Sequence, residues 1–194
     1  IVKAAKELGI KALTVFSFST ENWARPPAEI EALLRLICEY LKNCQQMMLD
    51  LGVRINVIGD IRKMPKSLTS LLQETQELTK DCHNLDLILA MNYGSRDEIK
   101  RAVEKILEEC LHGNVSLEAL SEDKINTYLD TSPWPDPDLI IRTSGEKRVS
   151  NFLLWQSSYA EIYTEDVNWP NFTPNHFLNA IVDYQQRNRR RGGG

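Results

Sequence analysis

An α/β domain built on a mostly parallel sheet is the architecture this sequence predicts, and three observations lead to it. Short apolar runs alternate with longer amphipathic stretches, the pattern of repeated strand–helix units. The strand candidates are nearly continuous in apolar residues rather than alternating, as expected of strands covered on both faces. Helix starts and stops fall between the runs, at Gly9, Pro27, Gly52 and Pro65. A single domain over 1–194 follows, with a central sheet of about six strands flanked by helices.

Each element has its own warrant. Residues 1–8 place Ile1, Ala4, Ala5 and Leu8 at a helical period that Gly9 ends. The chain thus opens inside a helix, with no methionine or cap, so an N-terminal segment is expected to precede it. No targeting address is readable. Ala12–Phe18 reads as the first strand. Pro27 suits the first turn of a helix over 27–51, and Gly52 its end. Ile30, Leu33, Leu34, Ile37 and Leu41 form that helix's core stripe. Val53–Ile58 is a second strand, and Pro65 opens a helix over 65–80. Leu85–Met91 is a third strand. Ser95 is the expected cap of a helix over 95–111, with Ile99, Val103, Ile106 and Leu107 on its buried face. A helix over 122–130 follows. Pro133, Pro135 and Pro137 make a stiff extended approach to a strand at Leu139–Ile141. Phe152–Trp155 reads as a further strand, Ile162–Tyr163 as a weaker one, and 174–190 as the last helix. Right-handed crossovers would gather the strand ends at Phe18, Gly59, Met91 and Ile141 on one rim.

Bulk properties narrow the function. The 194 residues carry a formal charge of −4, which argues against a nucleic-acid binder. No apolar run approaches a membrane span. Cys38, Cys44, Cys82 and Cys110 have no CxxC or metal-type spacing and read as free thiols of an intracellular protein. His83, His112 and His176 are scattered, without partner spacing for zinc or a triad. No G-x-G-x-x-G and no G-x-x-x-x-G-K-[ST] follows a strand, so a nucleotide-binding module is disfavoured.

The most informative stretch is 138–161, DLIIRTSGEKRVSNFLLWQSSYAE. An apolar run stops at Arg142, and a polar turn then carries Thr143, Ser144, Arg148, Ser150 and Asn151. Glu161 follows. Two arginines and several hydroxyls beyond a strand end, with a carboxylate nearby, suit a polyphosphate and its metal. The plain alternative is two surface arginines in a loop and a solvated glutamate. A second constellation, Ser19, Glu21, Asn22, Trp23 and Arg25, follows the first strand. Here the plain alternative is a Glu–Arg pair across a turn, with Trp23 plugging the core edge. Asn92 and Arg96 end the third strand candidate. Asn-Tyr-Gly is also turn chemistry, with Gly94 the residue expected to need positive φ.

Residues 138–161 resemble the signature of the cis-prenyltransferases, the undecaprenyl and dehydrodolichyl diphosphate synthase family. LTVFSFSTENWARP (13–26), VRINVIGD (53–60), LAMNYGSR (89–96) and RNRRRGG (187–193) resemble its other blocks, in order. The resemblance implies a Mg²⁺-dependent transferase that joins isopentenyl diphosphate to an allylic prenyl diphosphate. It implies that Arg142, Arg148 and Ser150 hold the diphosphate of isopentenyl diphosphate, and that Glu161 helps bind Mg²⁺. Arg25 falls where the family binds the allylic diphosphate, and Ser19 and Asn22 where it assists proton removal. Trp23 would pack beside substrate, and Asn92 would stand in the site wall. Arg190, Arg191 and Gly192 resemble a C-terminal element that reaches across a subunit interface. A homodimer is implied, a heterodimer being the variant, with peripheral membrane contact through the product and no nucleic acid. A cytoplasmic protein is expected, with plastid or membrane-peripheral placement open. The family's Asp-Gly-Asn block should precede Ile1, so the stretch 1–194 alone is expected to be inactive. The rival class is a non-catalytic partner subunit, but such partners tend to lose the Glu-Asn-Trp and arginine-turn residues kept here. A trans-type synthase is set aside because no DDxxD-like cluster appears.

Overall fold

The computed structural model describes residues 1–188. The chain divides into two compact units, Val2–Trp134 and the part that begins at Pro135.

In the first unit, helix α1 (Val2–Glu7) leads into strand β1 (Ala12–Ser19), and a one-turn 3₁₀ helix, Thr20–Ala24, follows. Helix α2 (Pro27–Leu51), strand β2 (Val53–Ile58), helix α3 (Lys66–Thr79), strand β3 (Leu85–Tyr93) and helix α4 (Ser95–Leu111) complete the main repeat. The strands form a parallel sheet in the order β1-β3-β2. Because they are parallel, Ser19, Ile58 and Tyr93 end on one edge. Pairing of β1 with β3 is irregular between Phe16 and Ser19, so β1 bulges just before the candidate residues.

The α2 limits are those expected. Pro27 is its first residue, and Gly52 caps it at φ 67°, ψ 35°. Leu34 and Leu41 join Phe18, Leu68, Leu72 and Met91 in the core, with Ile30, Leu33 and Ile37 partly buried against them. Gly59, just past β2, has φ 102°, and a Cβ there would sit 2.2 Å from the Met91 carbonyl oxygen. Only glycine lets the ends of β2 and β3 approach this closely.

Helix α4 departs from expectation. Gly94, not Ser95, is its N-cap, with extended φ −156°; the positive φ in this turn belongs to Asn92 at 46°. Its buried residues are Ser95, Glu98, Ala102 and Ile106, whereas Val103 and Leu107 are about half exposed. Hydropathy cannot see the cause, which is that a charged residue has partners inside. Glu98, 1 % exposed, accepts from Tyr93 Oη at 2.5 Å and from the Asp130 amide at 3.0 Å. Helix α5 is shorter than expected, Glu122–Asn126, capped by Ser121. The approach to the next strand is not extended throughout: 131–134 turn, with the Trp134 amide donating to the Thr131 carbonyl at 2.9 Å, and the Trp134 indole donates to Asp86 at 3.0 Å.

In the second unit, strand β4 (Leu139–Arg142) pairs in parallel with strand β5 (Glu161–Thr164), Arg142 opposite Thr164. Helix α6 runs over Pro174–Gln186 and ends before Arg187, where a helix to 190 was expected; 189 and 190 lie outside the described residues. The expected strand at Phe152–Trp155 is absent. Ser150, Asn151 and Leu153 have φ of 49°, 62° and 47°, which no strand accommodates, and 151–159 forms successive turns and bends instead. The apolar run is nevertheless spent on burial, since Leu153 is 3 % exposed. The described strands are therefore three plus two in separate hydrogen-bonded sheets, not about six in one. All four cysteines are free. Among the described residues no helix is long and apolar enough to cross a membrane.

Candidate active site

In the first unit the candidates gather at the carboxyl edge of the sheet. The Ser19 amide donates to Asn22 Oδ1 at 2.8 Å, closing the 3₁₀ turn. That contact occupies the oxygen end of the Asn22 amide. Trp23 stacks edge-on against buried Phe18, ring centroids 5.2 Å apart, and its indole donates to Asn92 Oδ1 at 2.7 Å. Arg25 is exposed and pairs with Glu29 at 2.6 Å. It lines an open cleft of about 620 Å³ with Glu29, Ala32, Leu33, Arg35, Leu36 and Glu39, so two cations and two carboxylates stand beside apolar side chains.

Asn92 is 3 % exposed and has no open face. Its Oδ1 receives Trp23, and its Nδ2 donates to the Asp60 carbonyl at 2.6 Å. Behind it lies an ion-pair network the sequence did not disclose. Arg101 grips Asp130 through two hydrogen bonds at 2.8 and 2.6 Å and also donates to Asp97 at 2.9 Å. Asp130 Oδ2 receives the Gly59 amide at 2.9 Å. Burial pushes the Asp130 carboxyl up, but Arg101 and the Gly59 amide more than offset this and leave it below the ordinary value. Asp60, held by Arg62, falls to about 2. Burial, then the Glu98 charge, pushes the Tyr93 phenol well above its usual range.

In the second unit Arg142 ends β4, and the turn after it is held by Ser144 and Gly145 amides donating to Val167 and Glu165 carbonyls, each at 3.0 Å. Among the described residues, the buried Nε of Arg142 has no acceptor. A buried guanidinium N–H without a partner is costly, and an anion oxygen is the group that satisfies it. Arg148 is exposed and pairs with Glu146. Ser150 is exposed, in the left-handed region.

Glu161 begins β5 opposite Leu139, three register positions from the Arg142 pair, so the structure does not place it at the Arg142 end. Its Oε2 accepts from Arg187 at 2.8 Å, and Arg187 also binds Asp183. In the sequence Arg187 stood out only as the first residue of RNRRRGG, although Asp183 lies four residues before it on α6. No group of three His, Cys, Asp or Glu forms a metal site among the described residues. A single carboxylate still fits Mg²⁺, which commonly takes one or two carboxylates together with substrate phosphates and water. Arg190, Arg191 and Gly192 lie outside the described residues.

Known proteins give this geometry its context. Residues 1–192 match the family model described as putative undecaprenyl diphosphate synthase. An isoprenyl transferase of Clostridium perfringens is 46 % identical over 193 residues, covering all of this chain and 76 % of that protein. One from Aquifex aeolicus is 45 % identical over 192 residues, 99 % of this chain and 80 % of that protein. The lavandulyl diphosphate synthase of Lavandula x intermedia, solved in complex with dimethylallyl diphosphate, superposes with a TM-score of 0.97 at 30 % identity. That match covers all of this chain and 84 % of the other. A probable undecaprenyl diphosphate synthase from Campylobacter jejuni gives 0.89 at 35 %, over 99 % and 88 %. The chain belongs to the undecaprenyl diphosphate synthase family of cis-prenyltransferases.

Proposed function

We propose that this prenyltransferase condenses isopentenyl diphosphate with an allylic prenyl diphosphate in the Z configuration. The allylic C–O bond breaks, the terminal alkene carbon forms the new C–C bond, and a proton leaves isopentenyl diphosphate as diphosphate departs. The observation that carries this reading is the buried, unpartnered Nε of Arg142 at a strand end. The relative crystallised with dimethylallyl diphosphate supports an allylic diphosphate as the second substrate.

In this reading Arg142, Arg148 and Ser150 hold the diphosphate of the nucleophilic partner, so that its alkene faces the allylic carbon. Positioning of this kind is a large part of the acceleration for a two-substrate reaction. Arg25 takes the allylic diphosphate, exchanging Glu29 for phosphate oxygens. Ser19 and Asn22 are weak bases, so they assist proton loss by hydrogen-bonding the pyrophosphate or water that accepts it. Trp23 forms apolar wall beside the substrate. Glu161 would hold Mg²⁺ with substrate phosphates. When bound, Mg²⁺ supplies positive charge against that developing on phosphate oxygens. Glu161→Gln should raise the Mg²⁺ concentration for half-maximal turnover by about tenfold, a loss typical of one weakened charge-assisted contact. An unchanged Mg²⁺ titration removes Glu161 from the metal.

The same reading includes a homodimer rather than a heterodimer with a non-catalytic subunit, and a cytoplasmic protein that meets membrane only through its product. Light scattering that returns a single-chain mass would overturn the dimer. Radiolabelled isopentenyl diphosphate incorporation by the whole protein, with the Asp-Gly-Asn block expected before Ile1 included, tests the reaction itself. A protein that binds dimethylallyl diphosphate yet makes no prenyl product ends the proposal.

A further inference from the structure

Asn92 stands at the end of β3 with its backbone in the left-handed region and its side chain buried. An amide has two chemically different ends, and here they are divided between two elements. Oδ1 accepts the Trp23 indole at 2.7 Å, and Nδ2 donates to the Asp60 carbonyl at 2.6 Å. The Asp60 amide in turn lies 3.4 Å from the Asn92 carbonyl, and Gly59 before it is tied to Asp130. Residue 92 therefore bridges the loop after β1 to the loop after β2, while sitting on the strand between them. No other residue type at this position does all three things. Asn tolerates φ 46°, presents one acceptor and one donor on a single planar group, and is short enough to reach both loops.

We infer that Asn92 is a positioning residue rather than a substrate ligand: it holds Trp23, and through it the Ser19–Arg25 turn, in the conformation the reaction uses. This rests on the proposed role of that turn. Trp23 is 36 % exposed, so part of the side chain is open to solvent while its N–H is committed to Asn92. Edge-on packing with Phe18 fixes the ring's position but leaves rotation about its bonds open. The indole N–H to Asn92 contact removes that freedom.

The test is a cycle of Asn92→Gly and Trp23→Phe in the whole protein. Glycine keeps the left-handed backbone and deletes both hydrogen bonds. Phenylalanine keeps the packing on Phe18 and deletes only the indole donor. Asn92→Gly should lower kcat/KM about tenfold, as one lost orienting hydrogen bond would, and should cost little more once Trp23 is Phe. Independently of activity, the Trp23 indole N–H resonance, identified by its absence in Trp23→Phe, should shift and exchange faster with solvent in Asn92→Gly. Asn92→Asp keeps the acceptor for Trp23, so its indole resonance should stay near the wild-type position. That variant keeps the question answerable if the glycine variant does not fold. Full additivity of the two substitutions, an unmoved indole signal in Asn92→Gly, or wild-type kcat/KM in that variant would each overturn the inference. Failure of the site reading itself shows separately, as Arg25→Ala turnover with an unaltered KM for the allylic diphosphate.

Discussion

Arg142→Ala should raise the KM for isopentenyl diphosphate by about a hundredfold, with a much smaller change in the KM for the allylic diphosphate. A hydrogen bond from a charged donor is worth about 1.5–3 kcal/mol, and the upper part of that range corresponds to a hundredfold. The upper part applies because the Arg142 Nε is buried and has no acceptor among the described residues. Its desolvation is already complete in the free protein, so a phosphate oxygen gains nearly the whole interaction. Arg148 starts from the opposite condition. It is exposed and must leave Glu146, so Arg148→Ala should cost nearer tenfold. Lysine at position 142 should not rescue, because a point charge cannot reproduce the planar donor pair. The alanine variant should also melt no lower than wild type, since an orphaned buried donor is removed rather than created. Steady-state kinetics with each substrate varied in turn is the measurement. Equal increases in both KM values would reject the assignment.

How far the sequence carried is clearest element by element. Helix α2 was readable to both ends because its stops are chemical: proline at the first turn and glycine in the left-handed cap. Strands β1, β2 and β3 were readable because short runs rich in Val, Ile, Leu and Phe between helix stops have few other uses at that length. Phe152–Trp155 failed for the converse reason. Its hydropathy is that of a buried strand, but the conformation is set by left-handed Ser150, Asn151 and Leu153, none of them glycine. Asn151 is a residue type that accepts this region, but Ser150 and Leu153 gave no sign of it. Helix α4 was readable in its span, Ser95–Leu111, but not in its buried face, because the periodicity of Ile99, Val103 and Leu107 ignores a buried Glu98 whose partners are Tyr93 and Asp130. At the site, the composition of the arginine turn and of the Ser19–Arg25 turn was legible. The Glu161–Arg187 pair, which spans 26 residues, and the division of the Asn92 amide between two loops were not. Pair identities across long separations are properties of the packing.

Arg101→Met should destabilise the protein by about 3 kcal/mol near neutral pH, at the low end of the cost of orphaning a buried charge. The Arg101 and Asp130 side chains are 14 % and 15 % exposed, so little water remains to screen them. Methionine keeps much of the packing volume and leaves Asp130 without its cation, beside Asp97 and Glu98. Two further results follow from electrostatics. In the wild type, the Asp130 carboxyl lies below its ordinary 3.8, so its contribution is present above that value and lost as pH falls through the folded value. In the variant, burial is opposed only by the Gly59 amide and Lys105, so the folded value rises, and the sign reverses once it passes the unfolded one. Stability of Arg101→Met should then improve relative to wild type as pH drops from about 8 to about 5, as the folded carboxyl takes up its proton first. Adding Asp130→Asn to Arg101→Met should recover most of the loss at neutral pH, because the amide oxygen still accepts the Gly59 N–H and position 130 no longer carries a stranded charge. Urea melts of the three proteins at both pH values decide it. A double variant no more stable than Arg101→Met would mean that lost packing, not the stranded carboxylate, carries the cost.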